Sequence, residues 1–162
     1  MSVHLGAPSA AMRAHEELFA YWAGLRRNGS LPGRRDIDPA PIKRLLPGLC
    51  LIDVTQAPRD YRVRLAGTGL YGVFGGEITG KGLAEIYNTA AHGYWRAELD
   101  QIVGTGRPGA GYHSLAWRGA GHVTILWMRL PLATNGRDVD MILGYDAAVG
   151  LSGAASSGVH AA

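Results

Sequence analysis

The chain has 162 residues, 47% of them apolar and 18% charged, the scale and composition of one globular domain with a single core. Its one cysteine, Cys50, excludes a disulfide scaffold and agrees with a reducing compartment, so a cytoplasmic protein is expected. The net charge of +3 sits in the first fifty residues, where seven Lys/Arg face four acids; the cluster Arg26, Arg27, Arg34 and Arg35 lacks the stripe and the reading element of a nucleic-acid surface.

Residues 1–9 are small and aperiodic and are expected to be flexible. They and the segment after them lack the pattern of a secretory signal, because Glu16 and Glu17 interrupt the apolar stretch. Ser9 is placed to cap a helix whose stripe is Met12, Leu18, Phe19, Trp22 and Leu25, with Arg26 and Arg27 in its last turn and Gly29 ending it. Leu31-Pro32-Gly33 reads as a loop, and Pro39 to Leu46 as a short helix. The apolar run from Leu45 to Val54 falls short of the ~18 residues of a membrane span and is broken by Pro47, Gly48 and Asp53. Its second half, Leu49 to Val54, reads as a strand.

After a turn at Ala57 to Asp60, Tyr61, Val63 and Leu65 alternate with Arg62 and Arg64, the mark of an antiparallel strand with one wet face. The glycine-rich stretch 67–88 predicts brief helical turns. A long helix follows over Ala90 to Val103, with Trp95, Leu99 and Ile102 on one face. Three strands then run over Ala110–Trp117, His122–Leu132 and Val139–Ala147, joined by turns at Arg118–Gly121 and Ala133–Gly136. The tail 151–162 is Ala/Ser/Gly-rich and expected to be disordered, leaving 10–150 as one domain. Two strands, helices, then three strands predict an α+β domain: a five-stranded antiparallel sheet with helices on one face, plus an N-terminal helix.

This order, with its local motifs, resembles the PAS sensor family. Tyr61 to Thr68 is similar to that family's second strand with its closing Gly-Thr, and Phe74-Gly75-Gly76-Glu77-Ile78-Thr79-Gly80-Lys81 to its later turn. Gly104 to Pro108 resembles the end of its long helix, and Arg129-Leu130-Pro131-Leu132 with Val139 to Gly144 its last two strands. Tyr21-Trp22 and Asp36-Ile37-Asp38-Pro39 are similar to the lead-in of a bacterial subfamily of small stand-alone PAS proteins. The resemblance covers about residues 12–148. It implies a sheet with first and last strands adjacent, and a sensory or regulatory binding domain. It names no ligand, since such domains hold haem, flavins, small acids or nothing.

Gly67-Thr68-Gly69-Leu70-Tyr71-Gly72 spells G-x-G-x-x-G after a strand, but that strand carries exposed arginines and no βαβ unit follows. A tight turn is expected there, not a dinucleotide site. His92 lies near the start of the long helix, where oxygen-sensing haem PAS domains carry their axial ligand, so a haem-based gas or redox sensor is the alternative reading. The interval from His92 to Thr105-Gly106 is about one turn longer than in that pattern. His113 and His122 come near each other across a hairpin, without the third ligand a metal wants. Cys50 lies in a strand, not in the helix motif of flavin photoreceptors, and no catalytic constellation stands out. No enzyme or metal site is therefore expected; no cofactor is assumed, with haem as the alternative.

Two readings remain. The first is a sensor gated by a small molecule, in a pocket lined by Leu65, Thr68, Tyr71, Phe74, Tyr94, Leu126 and Met128. The second is a ligand-free interaction module. If Leu126 and Met128 face the pocket, Val123, Ile125 and Trp127 form an apolar outer stripe that Trp22 and Leu25 of the N-terminal helix must cover. Both readings pass a signal to an unidentified partner protein, and a homodimer through that stripe is expected.

Overall fold

The computed structural model describes residues 9–149; the segments expected to be flexible or disordered, 1–8 and 151–162, lie outside the described residues. Helix α1 (Ala10–Leu25) begins where Ser9 Oγ accepts the Met12 amide at 3.2 Å. It ends one residue before Arg26, so the two arginines expected in its last turn lie beyond it. The Arg26 guanidinium instead donates to the carbonyls of Gly29 and Ser30 and lies over the Trp22 ring at 5.3 Å. The short helix expected over Pro39–Leu46 is a kinked 3₁₀ segment, Ala40–Gly48, with its break at Ile42.

Strands β1 (Leu49–Thr55) and β2 (Asp60–Ala66) form a hairpin, and α2 (Leu70–Phe74), α3 (Leu83–Ile86) and α4 (Thr89–Thr105) follow. The long helix is capped by Asn88, whose side chain accepts the Ala91 amide, and it is closed by Gly106 at φ 66°. Strands β3 (Gly109–Leu115), β4 (Ala120–Leu132) and β5 (Met141–Ala148) complete one antiparallel sheet of order β2-β1-β5-β4-β3. The first and last strands are adjacent, as expected, with Leu51 opposite Leu143.

No phosphate cradle exists in the G-x-G turn. The Gly67 amide donates to Leu49 O at 2.7 Å and the Gly69 amide to Pro47 O at 2.9 Å, so the donors an anion would need are spent on the chain's own backbone.

The two faces of the sheet are covered by different helices. On the inner face, Trp95 of α4 meets Trp127 edge to face at 5.1 Å, and Val123 and Ile125 pack with them. On the outer face lies α1: the buried Trp22 donates its indole N–H to Pro131 O at 3.0 Å, and His15 meets Tyr145 edge to face. Leu126 and Met128 alternate with Trp127 and so face outward, with Met128 in the cluster that holds Leu18 and Trp22.

The expected assignment of the two faces of β4 is therefore reversed. Ile125 and Trp127 are not an outer stripe, and α1 covers the sheet of its own chain through the buried Trp22, with Leu25 half-buried beside it. The physical reason is that β4 is apolar on both faces because both are covered, so alternation alone does not distinguish them.

Candidate functional site

Between the inner face and α2–α4 lies an aromatic compartment built around Trp95. Tyr87 stacks on Trp95 at 5.7 Å; Trp117 and Phe74 meet Tyr87 edge-on at 5.0 and 6.0 Å. His113 of β3 stacks on Tyr94 at 4.7 Å and sits edge-on to Trp95 at 5.4 Å. Tyr94 Oη accepts the Trp127 indole N–H at 3.1 Å. Aromatic pairs at such separations prefer these edge-on and offset arrangements.

The floor is charged. Arg129 of β4 and Asp146 of β5 form a fully buried ion pair, and the guanidinium lies over the Trp95 ring at 4.8 Å. Gly144, directly opposite Arg129, makes room for it: a Cβ there would fall 2.5 Å from Cys50 Sγ and 3.0 Å from Arg129 Nη1. Gly111 does the same for Trp127, whose ring lies 3.1 Å from where a Cβ would be. Burial opposes the Arg129 charge, yet Asp146 together with Cys50 and Tyr87 more than offsets this and keeps the guanidinium firmly protonated. Burial pushes the Cys50 thiol up to about 11 and the Tyr87 phenol up as well, so both stay neutral. A thiol so placed is inert.

Four buried nitrogens around Trp95 have no hydrogen-bond partner among the described residues: Trp95 Nε1, Trp117 Nε1, His113 Nε2 and Arg129 Nε. Two small voids adjoin them. One, of about 20 Å³, is bounded by Cys50, Tyr87, Trp95 and Arg129; the other, of about 10 Å³, by Tyr87, Trp95, His113, Trp117 and Asp146. The first holds one water and the second is at the limit for one, given that a water needs roughly 10–15 Å³.

The pocket residues read from sequence are not brought together. Phe74 walls the compartment and Tyr94 borders it. Leu65 (55% exposed) and Thr68 line a groove on the opposite face of the sheet, Tyr71 is 62% exposed, and Leu126 and Met128 lie on the outer face. The cause is the same parity reversal, together with α2 turning Tyr71 outward. His92 is half-buried on α4 beside Arg96, off the Ala91, Trp95, Leu99 face, and does not line the compartment. His92 is therefore not placed to ligate a haem held in the compartment. His113 pairs with Ile125 across the β3–β4 ladder, and no group of three metal-ligating side chains occurs among the described residues.

Sequence reasoning missed Cys50, Tyr87, Trp117, Arg129 and Asp146 as compartment residues. The available signal was Arg129 and Asp146 themselves, single charges set in otherwise apolar strands.

An open antiparallel sheet of this order, walled on one face by short helices around an enclosed compartment, is a sensory-domain fold of the PAS/LOV type. The chain belongs to the PAS domain family, whose sequence profile matches residues 10–146. The LOV protein of Rhodobacter sphaeroides is similar in structure, with a TM-score of 0.50 at 18% identity, over 88% of this chain and 70% of that one. A fungal LOV domain photoreceptor gives 0.50 at 19% identity, over 81% and 89%. These likenesses establish the fold. No curated protein matches the chain.

Proposed function

We propose that this chain is a non-catalytic sensory module whose compartment takes a small, flat, acceptor-rich molecule and whose state is passed to a partner protein by contact. The observation that carries the reading is the set of four unpartnered nitrogens around one aromatic cluster, three of them N–H donors (Trp95 Nε1, Trp117 Nε1 and Arg129 Nε). Buried donors without partners cost about 1–3 kcal/mol each, so a ligand bearing carbonyl or carboxylate oxygens relieves a standing penalty. Occupancy requires α2 and the Tyr87 turn to move outward, because the voids are only water-sized. That movement is the signal.

The cytoplasm is the expected setting, and a second copy of the chain is the first partner to test. Met12 and Phe19, both 43% exposed, share one face of α1 and offer the apolar contact that the expected stripe does not. Native mass spectrometry of gently purified protein, followed by tryptophan-fluorescence titration with small aromatic carboxylates, tests the ligand. A retained molecule, or quenching that weakens in Trp117→Phe and His113→Phe, supports it. A protein that carries nothing and responds to nothing, with ordered water on the four nitrogens, favours the ligand-free interaction module.

A further inference from the structure

The outer face of the sheet is only partly covered. Helix α1 lies over β4 and β5, while the 3₁₀ segment Ala40–Gly48 packs against α1 and β5 and shares a groove with β1 and β2. Between that segment and the strands runs a groove of about 430 Å³, within the range of small-molecule sites. Its walls are Ile37, Ile42, Leu46, Leu49, Leu51 and Leu65, and two of these leucines rank among the most exposed large apolar side chains: Leu65 at 55% and Leu46 at 39%.

Among the described residues, the only charged side chains lining the groove are Arg34 and Lys43, with no acid in the lining. Of the cations nearby, Arg44 pairs with Glu17 and Arg64 with Asp53 at 2.9 Å, while Arg35, also without an ion pair, does not line the groove. Arg34 and Lys43 have no carboxylate partner among the described residues. An apolar trough carrying two unmatched positive charges is complementary to one kind of occupant, an aliphatic chain with an anionic head.

We propose that this groove is a second ligand site, on the face of the sheet opposite the aromatic compartment, for a single-chain aliphatic carboxylate of the free fatty acid class. The chain lies along the leucines and the carboxylate is held by Arg34 and Lys43. The proposal stands apart from the compartment, since the two sites share no charged residue.

Isothermal titration of the full chain with laurate, below its micelle concentration, tests it. One molecule is expected to bind per chain. Loss of a charged hydrogen bond in Arg34→Glu or Lys43→Glu should weaken binding about tenfold or more. Leu65→Glu should abolish it, while Trp117→Phe, in the compartment, leaves it unchanged. These outer positions are exposed, and amide spectra of each variant confirm the fold. Amide shifts on titration should centre on Leu65 to Thr68.

Absence of binding overturns the proposal, as does equal affinity for dodecanol, which has the chain without the charge. So does laurate binding indifferent to the three variants. Binding seen only as co-sedimentation with anionic vesicles would assign the face to membranes. A dimer dissociated by Leu65→Glu, in a protein that ignores laurate, would assign it to a second copy.

Discussion

Arg129 Nη2 lies 3.1 Å from both carboxylate oxygens of Asp146, diagonally across β4 and β5, and each side chain is 2% exposed. Removing one member leaves the other charged and dry. Asp146→Ala is expected to cost about 3–5 kcal/mol. The double variant Arg129→Met/Asp146→Ala should lose clearly less than the sum of the losses in Arg129→Met and Asp146→Ala. Urea unfolding of the four proteins measures this; additive losses would show that the pair is not coupled.

A second expectation concerns pH. Burial lowers the affinity of His15 and His113 for a proton, and His15 donates Nδ1–H to Ala11 O at 2.9 Å. Asp146 and Arg129 act on both rings with opposite signs. As the folded values lie below the ordinary 6.5, the unfolded chain takes up protons first as pH falls. Stability from these rings is therefore complete above about pH 6.5 and declines on acidification towards the folded values. The urea midpoint should fall from about pH 7.5 to pH 5, and His15→Gln/His113→Gln should flatten that slope. An unchanged slope in the double variant would refute this assignment.

Gly67 and Gly72 make a paired test of the glycine-rich turn. A Cβ on Gly67 would sit 2.1 Å from Leu46 O and 2.5 Å from Pro47 O, both backbone atoms. Gly67→Ala should cost about 3 kcal/mol. Gly72, inside α2, has nothing within 4 Å of its Cβ position. Gly72→Ala should be neutral or gain about 0.5–1 kcal/mol. Thermal unfolding separates the two, and comparable losses would overturn the account.

Arg118 fastens α2 to the end of β3. Its Nε and Nη2 donate to the carbonyls of Val73 and Gly72, both at 2.8 Å. Arg118→Ala should free the compartment wall without touching the compartment floor. Amide exchange over residues 70–76 is expected to accelerate while that of β4 and β5 stays put. Uniform acceleration would instead mean global destabilisation.

Element order was legible because elements carry local instructions: Ser9 at a helix start, Gly106 at a helix end, and the alternating Tyr61, Val63 and Arg62, Arg64. The site was not, because it depends on which face of β4 points where. Leu126 and Trp127 are both apolar and both buried, so the period-two pattern has no phase. What fixes the phase is tertiary: Gly111 admits the Trp127 ring, and Arg129, of the same parity, finds Asp146. Trp95 was placed correctly on the buried face of its helix, but its neighbours Tyr87 and Trp117 come from turns with no periodicity to read.

The Trp22 indole rests on the carbonyl of a proline, and Pro131 lies beyond Arg129, the last residue of β4 paired with β3. There β4 has run past its neighbour and would otherwise present an open ladder. If α1 lifts away, the uncovered backbone at this position offers an acceptor but no N–H. An incoming strand would find an incomplete template there, which guards this edge against pairing with another chain.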